Sequence, residues 1–158
     1  MINKAIIFCD GACRGNPGPG GFAAKIHYTD RDPKIVIGKE AHTTNNRMEL
    51  LAVIAGIRAL KKDGLSVTVY SDSQYVVKAV KEKWLDNWVK TDFKGGKKNK
   101  DLWLAYYELS KRFDIKFVWV KGHADNPFNN RCDELATTAA DAPSHELLID
   151  EEYEASVN

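Results

Sequence analysis

Residues 46–80 read NRMELLAVIAGIRALKKDGLSVTVYSDSQYVVKAV, and the change of hydrophobic period inside this stretch decides the architecture. From Asn46 to Lys62 the pattern is helical, with Val53, Gly56 and Leu60 on the stripe that also carries Glu49, and Lys61-Lys62-Asp63-Gly64 stops it. Val67-Thr68-Val69-Tyr70-Ser71 is then a short strand ending at Asp72, and Ser73 to Val80 opens another helix. A βαβ crossover of this kind implies parallel pairing. Upstream, residues 4 to 9 form a strand that stops at Asp10-Gly11, and Gly15 to Gly21 make a long turn. Residues 22 to 28 and 34 to 42 are two further strands, so the opening is an antiparallel meander. Downstream come helices near Lys83 to Trp88 and from Asp101 to Arg112, a fifth strand from Ile115 to Val120, and a last helix from about Asn130 to Ala140. The order βββαβααβα predicts an α/β protein with one five-stranded mixed sheet, three antiparallel strands and then parallel additions, and helices on its faces.

At 158 residues the chain is expected to be a single domain, with a core over about 1–141 and an acidic tail over about 142–158. Its 44% hydrophobic and 28% charged residues, with 23 basic against 22 acidic side chains, are those of an ordinary globular protein. The longest apolar run, Leu50 to Ile57, is far too short to span a bilayer, so no membrane role is expected. The start reads as a first strand rather than a secretory signal. Cys9, Cys13 and Cys132 cannot all pair and are too few for a disulfide framework, and no second Cys or His pair has zinc-ligand spacing. Together these features give a cytoplasmic expectation. The charge is neutral in sum and lopsided in position. Lys78 to Lys100 holds eight lysines against three acids, and Asp133 to Asn158 holds eight acids with no lysine or arginine. The basic segment also carries Trp84, Trp88 and Phe93, a combination suited to a phosphate backbone on an aromatic-supported surface, or equally to a solvated lysine-rich helix and loop.

Four carboxylates stand near the ends of elements, and each has a purely structural role open to it. Asp10 before Gly11 can start a turn, Glu49 follows Asn46 at capping-box spacing, Asp72 can cap the helix from Ser73, and Asp133 can complement a helix dipole after an Asn130 cap. Taken together they point elsewhere. Asp10 and Asp72 both end strands, where ligand sites gather in α/β sheets. Glu49 joins from the first turn of the buried helix and Asp133 from the last helix. Such a cluster costs about 4 kcal/mol per ionised pair near 4 Å, so it calls for a cation. Oxygen-only ligands suit Mg²⁺ or Mn²⁺, and two such ions would serve phosphoryl displacement. The glycine-rich stretch from Gly15 to Gly21 lacks the Lys-Ser/Thr end of a P-loop and leads into a strand, so it reads as a turn.

These residues carry a resemblance to the type 1 ribonuclease H family of the bacterial kind. Five blocks appear in the family's order over residues 8 to 140: Asp10-Gly11-Ala12-Cys13-Arg14-Gly15-Asn16-Pro17-Gly18-Pro19-Gly20-Gly21, Thr43-Thr44-Asn45-Asn46-Arg47-Met48-Glu49-Leu50, Ser71-Asp72-Ser73-Gln74-Tyr75, Trp119-Val120-Lys121-Gly122-His123-Ala124 and Cys132-Asp133-Glu134-Leu135-Ala136. The resemblance implies the ribonuclease H-like fold with helices on both faces. It also implies a metal-dependent endonuclease that cuts the RNA strand of RNA·DNA hybrids, leaving 3′-hydroxyl and 5′-phosphate ends. Asp10, Glu49, Asp72 and Asp133 match the metal-binding catalytic carboxylates, expected to take two Mg²⁺ with Mn²⁺ as substitute. His123 matches the mobile-loop histidine of proton transfer or product release, which its ordinary pKa of about 6.5 suits. Asn16, Asn45 and Gln74 match readers of the hybrid minor groove, where 2′-hydroxyls mark the RNA strand. Cys13, Thr44 and Asn99 fall at DNA-strand contacts, and Trp84 lies on the basic substrate-binding segment.

Some positions depart from the family pattern. Phe93 stands near the place of a third tryptophan in a shortened basic protrusion, Asp125 replaces a glycine, and Asn130 replaces an acid. The expected unit is a monomer without an obligate protein partner. The rival readings are a catalytically silent hybrid-binding module of the same fold and a junction-cleaving or transposase-type enzyme. Intact carboxylates at four positions argue against the first, and the Asn/Gln set against the second.

Overall fold

The computed structural model describes residues 4–29, 32–60, 62–94, 99–121 and 127–141. Five strands, β1 (Lys4–Cys13), β2 (Gly18–Tyr28), β3 (Lys34–Thr43), β4 (Ser66–Ser71) and β5 (Asp114–Trp119), lie in the order β3-β2-β1-β4-β5. The first three pair antiparallel, while β4 and β5 add in parallel. Between them run α1 (Asn45–Arg58), α2 (Gln74–Lys81), α3 (Trp84–Lys90) and α4 (Lys100–Ser110), and α5 (Pro127–Asp141) ends the described chain. Each segment named from the sequence is present in sequence order, and α2, α3 and α4 make three helices between β4 and β5 where the order βββαβααβα counts two.

Helix α1 is buried around most of its circumference from Met48 to Ile57, because β1 and β2 cover one side and α4 another. A helix apolar on all sides belongs in the core. Helix α5 lies on the opposite sheet face, against β1 and β2. Its approach depends on Gly21, where a Cβ would stand 2.4 Å from the Ala136 carbonyl oxygen and 2.7 Å from the Ala139 Cβ. The principal cluster joins Ile7, Ile26, Leu50, Val53, Ile54, Val69 and Trp103, and a smaller one under α5 joins Phe8, Ala23 and Cys132. No helix among the described residues is long and apolar enough to cross a membrane.

Several boundaries move, for identifiable reasons. The first strand does not stop at Asp10-Gly11: its antiparallel ladder with β2 continues to Cys13↔Gly20, while its parallel ladder with β4 stops at Phe8↔Tyr70. Gly18, Gly20 and Gly21 therefore belong to a strand and not to a long turn, since glycine in a strand also marks close approach of a neighbour. Helix α1 ends at Arg58 rather than Lys62, with Leu60 drawn into the core at 4% exposure. Helix α5 begins at Pro127, three residues before the expected Asn130, because proline suits a first helical position. Phe93 turns inward at 6% exposure and, with Trp88, packs toward the core, which leaves Trp84 as the aromatic exposed on the basic segment.

Candidate active site

Beyond Phe8↔Tyr70 the β1 and β4 strands are no longer paired, at the carboxyl end of β4, the edge where ligand sites gather in α/β sheets. Asp10 stands on β1 at this fork and is buried, and Asp72 follows the last residue of β4. Glu49 reaches the same place from the start of the second turn of α1, two residues deeper than a cap at Asn46 would put it. Gly11 makes that possible: a Cβ there would lie 2.4 Å from the Met48 carbonyl carbon and 2.5 Å from the Glu49 nitrogen, so any other residue would push α1 away. The Gly11 N–H donates to Asp10 Oδ1 at 2.9 Å and to Glu49 Oε1 at 3.1 Å, tying the two carboxylates to one donor.

One ligand oxygen each from Asp10, Glu49 and Asp72 lies within 4.8 Å of the others. Asp133, in the second turn of α5, acts on Asp10 through a side-chain hydrogen bond and through its charge. Burial above all pushes the Asp10 carboxyl up from 3.8 to about 7; the charges of Asp72 and Asp133 add to this, and a hydrogen bond with Glu49 opposes it. Burial and the Asp10 charge raise Glu49 well above the usual carboxylate range. Glu49 Oε2 is buried with no hydrogen-bond partner among the described residues. A buried, orphaned carboxylate oxygen on a residue of this acidic cluster fits an oxygen-liganded divalent cation such as Mg²⁺ or Mn²⁺.

The structural roles open to these acids in the sequence are filled by other residues. Thr44 caps α1, its hydroxyl accepting from the Arg47 N–H, and Ser73 caps α2 by accepting from Val76. Asp10 lies within a strand, and Asp133 is past the first turn of its helix.

Around the cluster, the Asn16 side-chain oxygen accepts from the Asn45 N–H at 2.9 Å, joining two expected groove readers at the start of α1, both exposed. Gln74 is exposed at the start of α2. The Cys13 thiol donates to the Thr43 carbonyl at 3.2 Å. Asn99 donates to the Tyr75 hydroxyl at 3.2 Å and accepts from Arg47 at 3.3 Å, and Arg47 makes a bidentate pair with Asp101. Trp84 is 42% exposed on α3, beside the exposed Lys81, Lys83 and Lys90. His123 and the acidic tail lie outside the described residues.

Sequence reading missed three supports of this site. Gly11 looked like a turn former. Trp119 Nε1 donates to the Asp72 carbonyl at 3.2 Å, and Asn129 bonds the Cys9 and Tyr70 carbonyls from α5. Pro127 was the available signal for Asn129, because it starts the helix early enough to bury it.

The family model described as RNase H matches residues 3–141. A ribonuclease H of Lachnoclostridium phytofermentans is 52% identical over 147 residues, covering 87% of this chain and 92% of that protein. A ribonuclease H of Chlorobium luteolum is 50% identical over 143 residues, covering 88% and 97%. Among solved structures, LC9-RNase H1, a type 1 RNase H with the type 2 active-site motif, is similar with a TM-score of 0.80 and 30% identity over 98% of this chain and 81% of that one. LC11-RNase H1 in complex with RNA/DNA hybrid shares the fold at a TM-score of 0.65 and 24% identity, over 87% and 97% of the two chains.

Proposed function

The chain belongs to the RNase H family, and from that premise we propose that it is an endonuclease that hydrolyses the RNA strand of RNA·DNA hybrids with two divalent cations, leaving 3′-hydroxyl and 5′-phosphate ends. The observation that carries the reading is the convergence of Asp10, Glu49 and Asp72, buried and within 4.8 Å, with one Glu49 oxygen unsatisfied. With Asp133 these residues would hold the cations. Bound there, divalent ions supply a lowered pKa for an attacking water and neutralisation of the leaving oxygen.

The chain's own residues do the rest. In the cation-free site burial holds the Asp10 carboxyl up at about 7 and raises Glu49 well above the usual carboxylate range, so a cation held there would displace protons. Asn16 and Asn45, joined by a hydrogen bond, and the exposed Gln74 would read the minor groove and its 2′-hydroxyls. Cys13, Thr44 and Asn99 contact the DNA strand, while Trp84 and the lysines of α2 and α3 hold its phosphate backbone. His123 assists proton transfer or product release. Mg²⁺ is the expected ion and Mn²⁺ its substitute, in a monomer acting in the cytoplasm.

The test is incubation with labelled hybrid, double-stranded RNA, double-stranded DNA and single-stranded RNA, each with Mg²⁺, Mn²⁺ or chelator. Selective, cation-dependent loss of RNA from the hybrid is expected. Cleavage that survives the chelator, or equal attack on double-stranded RNA, refutes the assignment.

A further inference from the structure

Asn129 is the third residue of α5 and only 9% exposed. Its side-chain amide does not cap the helix, since a cap accepts from helix N–H groups and this one donates away from it. Nδ2 donates to the Cys9 carbonyl at 3.2 Å and to the Tyr70 carbonyl at 3.1 Å. Those carbonyls belong to adjacent strands and lie at the end of the parallel ladder, whose last pair is Phe8↔Tyr70. The next residue along β1 is Asp10, and Ser71-Asp72 follow on β4. Past that pair the ladder no longer fixes how far apart the two strands stand.

We propose that Asn129 is a positioning residue that clamps this fork and so sets the separation of Asp10 and Asp72 for sharing a cation, an inference that rests on the metal-dependent reading above. A primary amide offers two N–H donors from one nitrogen, and here each meets one strand's carbonyl. Serine has one donor and alanine none, while aspartate would turn oxygens toward oxygens. The β5 side of the site is held independently: Trp119 donates to the Asp72 carbonyl and the Val120 N–H to the Ser71 carbonyl at 3.0 Å. Asn129 supplies the β1 side. Asp133 lies four residues further along α5, on the same helical face, so the clamp that joins the strands also seats the helix presenting Asp133 to Asp10. The Cys132 thiol, donating to the Phe8 carbonyl at 3.2 Å, fastens α5 to β1 at a second point and keeps the helix docked when Asn129 is changed.

The experiment compares the full-length protein with Asn129→Ala and Asn129→Ser, measuring Mn²⁺ binding by calorimetry without nucleic acid, kcat and KM on a hybrid, and the melting temperature. Expected are a Mn²⁺ affinity at least tenfold weaker in Asn129→Ala, an intermediate value in Asn129→Ser, and a kcat that falls while KM for the hybrid stays within twofold. Either variant, folded, with wild-type Mn²⁺ affinity and kcat overturns the clamp, even if its melting temperature falls. Should Asn129→Ala not fold, the serine variant and hydrogen exchange of the Asn129 side-chain amide in the wild type decide. Protection of at least a hundredfold supports the clamp, and exchange at the rate of a free amide overturns it. A wild type that binds Mn²⁺ but leaves every hybrid intact would refute the proposed function, and the Mn²⁺ comparison would still judge Asn129.

Discussion

Replacing Asp10 with asparagine is expected to abolish cleavage and to stabilise the cation-free protein by an amount that depends on pH. The carboxyl is held at about 7 in the folded chain against an ordinary 3.8, a rise of about three units. At about 1.4 kcal/mol per unit this is about 4 kcal/mol. Asp10 is 5% exposed, so solvent does little to screen that cost. Because the folded pKa is the higher one, the stability is fully present below about pH 4 and is lost as pH rises toward 7; above that the full cost applies. Asparagine is neutral throughout and escapes it. For a chain of this size 1 kcal/mol moves the melting temperature by about 2–4 °C, so in chelator at pH 8 the variant should melt about 10 °C above wild type. At pH 4 the two should coincide. Saturating Mg²⁺ should then raise the wild type and narrow the gap, by about 2.7 kcal/mol at a hundredfold excess over Kd. Calorimetric melts of both proteins from pH 4 to 8, with chelator and with Mg²⁺, measure all of this. A gap that does not change with pH, or a wild type that is the more stable in chelator at pH 8, would refute the idea that burial and mutual repulsion dominate the site.

The same protons govern cation binding. Mg²⁺ affinity measured without substrate should weaken below pH 7, by about tenfold per pH unit for the proton held by Asp10, and a flat profile would mean that Asp10 is already ionised. Gly11→Ala places a methyl against the backbone of Met48 and Glu49. At about 3 kcal/mol for overpacking, it should cost about 6–12 °C of melting temperature and most activity; an unaltered, active variant would show that α1 yields freely. Replacing Lys94, Lys97 and Lys98 with alanine should weaken hybrid binding and flatten its salt dependence by about 0.9 for each phosphate no longer neutralised, and an unchanged slope would leave these lysines as solubilising groups.

The order and type of every element could be read from the chain, because α1 and β4 differ so plainly in period and Asp72 is followed at once by a helix. What failed was the meaning of small residues. Glycine serves both turns and close approaches, and only the partner surface decides between them. Gly11, Gly20 and Gly21 all lie under helices, against Met48 or Ala136, neighbours that are remote in sequence. The carboxylates could be picked out as a set but not placed: Glu49 sits two residues and Asp133 about one turn deeper in their helices than the asparagines before them suggested, because Thr44 and Pro127 start those helices earlier. Asn129 leaves only an indirect trace in the sequence, the helix start at Pro127, since its acceptors are backbone carbonyls on two distant strands.

The supports of the site share one property that bears on its purpose. Gly11 N–H, the Asn129 amide and the Trp119 indole are neutral donors, and two of them act on backbone carbonyls rather than on the carboxylates. The strongest influences on Asp10 and Glu49 are burial, each other, the neighbouring acids and the Gly11 N–H, with no cationic side chain among them. A lysine in this position would relieve repulsion of about 3.5 kcal/mol per ionised pair at 4.8 Å and stabilise the fold. It would also occupy the place of a cation and fix its charge there. Holding the acids by neutral hydrogen bonds keeps them close without neutralising them, so the charge deficit is left for an exchangeable ion to fill. The instability expected of the cation-free chain at high pH would thus be the thermodynamic counterpart of the proposed affinity for a divalent cation.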